Sequence, residues 1–186
     1  MTTPTLPDAR TRILDAADAL VRDSGVARLT LEAAARAAGV SKGGLLYHFA
    51  SKEALLAGMM ARLAAMIRTT FAATAASLPP GPQPAARAVL AFALSLPQRE
   101  ANDQIDRAAA VLMAAHHHDP VLLAPVRAVM AEIRAQMDQE GTPPGTAAAI
   151  LAVKDGLMMA RIFGLYPAGP DERADLHATL SRLLEA

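Results

Sequence analysis

The chain has no cysteine among its 186 residues, which excludes a disulfide framework and any metal site built on thiolates. Aromatic residues make up only 3%, while the apolar content of 53% comes mainly from alanine. No stretch alternates apolar and polar residues for long enough to make a strand, and alanine-rich sequence with little β-branching favours helix. The expected fold class is therefore all-α. Charge imbalance is missing as well: 18 Lys and Arg face 18 Asp and Glu, for a net charge of zero. Nucleic-acid binders commonly carry a basic excess, so the whole-chain charge counts against that class. Residues 1–52 alone are slightly basic, with Arg10, Arg12, Arg22, Arg28, Arg36, Lys42 and Lys52 against Asp8, Asp15, Asp18, Asp23 and Glu32. The most hydrophobic later stretch, Ala147 to Leu165, is interrupted by Lys154, Asp155 and Arg161, which suits a buried helix and not a membrane span. Met1 to Pro7 lacks the apolar core of a signal peptide and is expected to be a disordered arm. No internal repeat is visible. A cytoplasmic protein with no membrane partner is expected, long enough for a buried core in one large domain or two small ones.

What the chain does contain is concentrated in one stretch. Thr30-Leu31-Glu32-Ala33-Ala34-Ala35-Arg36-Ala37-Ala38 reads as a helix with Thr30 at its cap and Glu32 near its positive end. Gly39 can take the left-handed conformation that closes that helix, and Ser41 is placed to cap the next one. The second helix opens with Ser41, Lys42, Gly43 and Gly44: a hydroxyl, a cation and two bare backbone positions. Each of the two glycines costs about 1 kcal/mol relative to Ala in a helix, so local stability does not explain them, whereas close approach to a partner surface does. Two helices joined by a tight glycine turn form a helix-turn-helix. Leu45 and Phe49 read as core of this small unit. The helix before it, with Ile13, Leu14, Ala17, Leu20 and Val21 at helical spacing, stops at Gly25.

These residues carry a resemblance. The run Gly39-Val40-Ser41-Lys42-Gly43, then Tyr47-His48-Phe49, then Ser51-Lys52-Glu53, together with Arg12 to Ala17 and Ser24-Gly25-Val26, resembles the DNA-binding segment of the TetR family of bacterial transcriptional repressors. The resemblance implies that Thr30, Ser41, Tyr47, His48 and Lys52 touch phosphates and that Lys42, Gly43 and Gly44 face the major groove. Hydroxyls, a phenol and an ammonium suit backbone contacts, and an ammonium can donate to guanine O6 or N7. Leu46 stands where the family commonly has Tyr, and it can meet a thymine methyl but cannot hydrogen-bond a phosphate. Ala34 stands where a larger Ile or Val is usual.

Downstream, a long helix is predicted from Ser51 to about Leu78, ended by Pro79-Pro80-Gly81-Pro82. Its apolar positions are Leu55, Leu56, Met59, Leu63, Met66, Ile67, Thr70 and Phe71. Five more helices follow: Gln83 to Leu96, Asn102 to His117, Asp119 to Gln139 with a bend at Pro125, Thr142 to Leu165, and Pro170 to Leu184. Breakers separate them at Pro97, at Asp119-Pro120, at Gly141 to Gly145 and at Pro167 to Pro170. That makes about nine helices, and the resemblance implies an N-terminal DNA-binding domain over 1–50 and an effector-binding and dimerisation domain over 51–186. Ala148, Ala152, Gly156, Ala160 and Gly164 fall every fourth residue and form a stripe of small side chains along which another helix can approach. The stripe serves either packing within one subunit or a homodimer seam. The resemblance favours the seam, with Leu176, Leu180, Leu183 and Leu184 of the last helix joining it.

His116-His117-His118-Asp119 does not have metal-site spacing, because consecutive helical residues point about 100 degrees apart. A terminus complementing the helix dipole is the plainer reading, with His116 left as a possible inward ligand contact. No Ser-His-Asp arrangement, paired carboxylates or glycine-rich phosphate loop has the required setting. An enzyme, a cofactor and a metal are therefore not expected. An effector pocket is implied only by the resemblance. Met66, Phe92, Met113, Met130 and Met159 fall on helices that would surround it, with Asp155 or His116 as polar anchors for an apolar small molecule. The expected function is a ligand-responsive regulator, a repressor, binding an inverted-repeat operator in double-stranded DNA as a homodimer. The alternative is a small-molecule or metal binding protein whose helix-turn-helix is vestigial.

Overall fold

The computed structural model describes residues 8–94, 99–166 and 168–185, and their side chains except those of 99–107 and 114. The expected arm at Met1 to Pro7, the helix end at Leu96 and the breakers at Pro97 and Pro167 lie outside the described residues. Nine α-helices and no strand are found among the described residues: α1 (Ala9–Ser24), α2 (Leu31–Ala38), α3 (Lys42–His48), α4 (Lys52–Ser77), α5 (Pro84–Leu94), α6 (Arg99–His118), α7 (Ala124–Gln139), α8 (Pro144–Ile162) and α9 (Pro170–Glu185). The all-α expectation holds, because alanine, leucine and methionine fill the helices and proline or glycine marks the breaks.

Two predicted helices differ in detail. Asp119 does not start a long bent helix. Its carboxylate accepts from the Val121 N–H and opens a 3-10 turn, Pro120–Leu123, and α7 begins only at Ala124. Pro125 thus falls in the first turn of α7, where its missing N–H has no intrahelical acceptor to lose, so it causes no bend there. The helix predicted over Thr142 to Leu165 is shorter at both ends, running Pro144–Ile162. Gly164 takes φ 61, and the Leu165 N–H turns back to the Ala160 carbonyl, closing the helix in the left-handed manner glycine permits. Gly164 is therefore a terminator and not the last member of the small-residue stripe.

The chain falls into two compact units, one comprising residues up to Ala64 with Asp106–Val126, the other Ala65–Ile105 with Arg127–Ala186. In the first, α1, α2 and α3 pack on one another around Ile13, Leu14, Ala17, Val21, Leu29, Ala34, Ala35, Leu45 and Phe49, all buried. The first half of α4 adds Leu55, Leu56, Met59, Met60 and Leu63 to that core, each full burial worth about 1.5–3 kcal/mol. By length and apolar composition alone α4 would suffice to cross a membrane, yet these residues make it a core helix. Arg62 ties α4 to α1 through Asp15 and Asp18. In the second unit α5 packs on α8 and α9, and α8 on α9. The buried face of α5 is mostly alanine, which lets its neighbours come close. Its N-terminus is capped across the chain, the Ala85 N–H donating to a Glu140 carboxylate oxygen at 2.7 Å.

Candidate nucleic-acid interface

Both helices of the glycine-turn pair are fixed at their starts by side chains. Thr30 Oγ1 accepts from the Ala33 N–H at 3.0 Å, and Ser41 Oγ accepts from the Gly44 N–H at 3.0 Å, each satisfying a donor that the first turn leaves without a partner. Between them Gly39 sits at φ 65, ψ 36, and the Val40 N–H reaches back to the Ala35 carbonyl at 3.0 Å. This is a left-handed closure that a Cβ would strain. On α3 the division of faces is sharp: Leu45 and Phe49 are buried, while Leu46 is 39% and Tyr47 86% exposed. A Cβ on Gly44 would lie 3.2 Å from the capping Ser41 hydroxyl, whereas one on Gly43 would meet nothing within 4 Å. The far end of α3 rests on α4, where a Cβ on Gly58 would come within 2.6 Å of the Phe49 ring. Gly58 is thus the seat on which the helix is anchored, and periodicity gave no sign of it.

The polar residues expected to contact a partner are not all free. Lys42 Nζ lies 2.6 Å from Glu32 Oε1, and this bond, then the Glu32 backbone N–H, holds the Glu32 carboxyl below its ordinary value. Lys52 Nζ donates to the Val26 carbonyl at 3.1 Å in a part-buried position, so one of its three donors is already committed to the turn after α1. His48 meets the Tyr47 ring edge-on, centroids 5.1 Å apart. The Arg10 guanidinium lies 5.5 Å from the centroid of the Phe49 ring, within cation–π range. At the start of α4, His118 Nε2 stands 3.0 Å from Glu53 Oε1. The Glu53 carboxyl is lowered to about 2 by its own backbone N–H, by the Ser51 hydroxyl and by His118.

Comparison with known proteins accounts for this geometry. Residues 13–59 match the family model described as bacterial regulatory proteins, tetR family, and residues 83–185 match that described as tetracyclin repressor-like, C-terminal domain. The chain belongs to the TetR family. No curated protein matches its sequence. Among solved structures, a TetR-family member from Streptomyces coelicolor A3 aligns at a TM-score of 0.73 and 26% identity, over 96% of this chain and 99% of its own. The multidrug binding protein EbrR, solved in complex with malachite green, aligns at 0.72 and 26% identity over 96% and 99%. A transcriptional regulator from Rhodococcus sp. Rha1 shares the fold at 0.73, with 23% identity over 96% and 97%. The family is one of DNA-binding transcriptional regulators, not of enzymes, and α2, the Gly39 turn and α3 are its helix-turn-helix.

The remaining expected site residues of this TetR-family chain are shared between the two units. Met113 and His116 belong to the first compact unit, Met66, Phe92, Met130, Asp155 and Met159 to the second. Met66 and Met130 are half-buried, while Phe92, Met113 and Met159 are exposed. His116 is exposed and does not point inward, since it lies on the outer side of the last turn of α6; its neighbour His118 is the one that finds a partner. Asp155 is not buried either, its carboxylate pairing with the adjacent Lys154 at 2.5 Å. Within the second unit a groove of about 320 Å³ runs between α4 and α7, lined by Arg68, Phe71, Ala72, Ala75, Val129, Glu132, Ile133 and Gln136. A two-pronged Arg68–Glu132 ion pair spans it, and none of the seven expected effector residues lines it. Along α8, Ala148 and Ala152 are exposed and Gly156 half-buried, whereas Ala160 is buried inside its own unit. On α9 Leu176 is half-buried and Leu180 buried. Met159, Phe163, Leu165, Tyr166 and Leu183, on α8, just beyond it and on α9, are large apolar side chains left exposed.

Proposed function

We propose that the protein is a ligand-responsive repressor that binds an inverted-repeat operator in double-stranded DNA as a homodimer and leaves it when a small-molecule effector binds. The observation that carries the reading is the two-faced α3, its apolar side locked by Leu45 and Phe49 while Lys42, Gly43, Leu46 and Tyr47 stand open. In this reading Thr30, Ser41, Tyr47, His48 and Lys52 hold phosphates, and Lys42, Gly43, Gly44 and Leu46 face base edges. Residues 1–50 carry the DNA contacts and residues 51–186 the effector and dimer functions. A second copy covers the apolar side chains left open at the end of α8 and on α9, the kind of patch that marks a protein interface. Ala148, Ala152 and Gly156 allow the close approach. Two α3 helices related by the dimer axis then enter successive major grooves about one helical turn apart.

EbrR has been solved with ethidium, malachite green and imidazole, which makes planar cationic dyes the first effectors to try. α4 contributes residues to both compact units, so a ligand preferring one arrangement of α4 shifts the population of DNA-competent dimers by as much as its preference for that state. Selection of bound duplexes from random and genomic DNA tests the whole reading. Enrichment of an inverted repeat, bound below micromolar concentration and released by a dye, is expected; a selection that enriches nothing rejects it.

A further inference from the structure

We propose that Glu32 is a base-reading residue, and that Glu32 and Lys42 together recognise one G·C base pair in each half-site. The inference rests on the DNA-binding reading above and adds to it a residue otherwise explicable by the helix dipole alone. Glu32 lies in the first turn of α2 and Lys42 opens α3. Their head groups meet at 2.6 Å although both side chains are well exposed, 59% and 63%. The backbones beneath them are fixed by the Thr30 and Ser41 caps and by the Gly39 turn. Any surface that docks on the open side of α3 therefore meets an ammonium and a carboxylate side by side.

The edge of a G·C pair in the major groove is ordered in the same way. Guanine N7 and O6 are two adjacent acceptors, suited to an ammonium, and cytosine N4 beside them is a donor, suited to a carboxylate. An A·T pair puts its donor, adenine N6, between two acceptors, N7 and thymine O4. A carboxylate reaching N6 there lies against their lone pairs, and the ammonium keeps only one acceptor. Elsewhere along DNA the carboxylate faces phosphates and is repelled, so Glu32 contributes nothing to affinity at large and acts by rejecting pairs whose donor does not stand beside two adjacent acceptors. An exposed ion pair is weakly held, and its two groups are free to part onto the base edges.

The test is selection from random duplexes with the full-length wild type, Glu32→Ala and Lys42→Ala, each checked for an unchanged thermal melt. Wild type is expected to enrich a guanine–cytosine pair at the position where Lys42→Ala loses its preference, once in each half-site. Glu32→Ala should keep the rest of the selected motif, relax that one position by about tenfold, a single-contact loss, and bind unrelated DNA more tightly. Unchanged preference at that position in Glu32→Ala, an A·T pair there in wild type, or uniform relaxation at all positions overturns the inference while leaving operator binding intact. Failure of wild type to enrich any sequence rejects the DNA-binding reading itself, and the inference with it.

Discussion

Two glycines in the DNA-binding unit show how differently single residues declare themselves. Gly39 was legible because its role is local: it follows a helix, precedes a capping serine and takes φ 65. Replacing it with alanine is expected to cost about 1–2 kcal/mol of unfolding free energy, the steric penalty of a left-handed residue with a Cβ, measurable by urea denaturation. Gly58 looks like any glycine inside a helix, and its purpose depends on Phe49 across the core. Gly58→Ala forces the ring aside at an overpacking cost of about 1–3 kcal/mol, offset by about 1 kcal/mol gained in helix propensity, and because the ring anchors α3, operator affinity should fall even where stability changes little. Wild-type operator affinity in the variant would mean that Phe49 moves without shifting α3. Lys52 lies between these cases. One donor is held by the Val26 carbonyl, leaving two for a phosphate. Lys52→Ala is expected to weaken binding alike across sequences and to lower the slope of log affinity against log salt by about one. An unchanged slope with a lower melting point would assign the ammonium to the turn alone.

Helix termini were the most readable elements, because caps are chemistry between neighbours in sequence. Thr30, Ser41 and Gly25 all end or begin helices as their types demand. Ser41→Ala should remove about 1 kcal/mol through the lost cap on α3, seen as a shift in the denaturation midpoint. Less was visible where a terminus is completed from a distance. Glu140, just past the end of α7, caps α5, and His118 meets Glu53 at the start of α4. Pro125 misled because a proline near a helix start and one in its middle read alike until the start is known. The Glu53 contact has a pH signature. Its carboxyl is lowered from an ordinary 4.5 to about 2, so its stabilising effect is complete above pH 4.5 and is lost as pH falls towards 2. Glu53→Gln should therefore be less stable than wild type at neutral pH, with a deficit that shrinks in acid. A deficit independent of pH between 7 and 3 would show that the charge plays no part.

The whole molecule, as proposed, works only as a pair, and the pairing surface tests that directly. Ala152 is exposed on α8, in the stripe where a second copy is expected to approach most closely. Ala152→Arg places a charge and a long side chain in that seam, and sedimentation or light scattering should find a monomer with its melting of helix retained and its operator affinity greatly reduced. A variant that remains dimeric would move the seam elsewhere on α8 and α9. The exposure of Phe163 and Leu165 is hidden in the sequence because the apolar pattern runs on to Leu165 as if the helix continued; α8 ends at Ile162, and the left-handed Gly164 turns the chain away.

The all-α class, the caps, the Gly39 turn and the identity of the residues on α3 followed from the chain alone, since each depends on contacts within a few positions or on a periodicity of 3.6. What needed the tertiary structure was every relation between distant positions: Gly58 under Phe49, Glu32 beside Lys42, Lys52 on the Val26 carbonyl, and the exposure of His116 and Asp155. Burial and ion pairing are properties of two surfaces brought together, and a one-dimensional pattern records only one of them at a time.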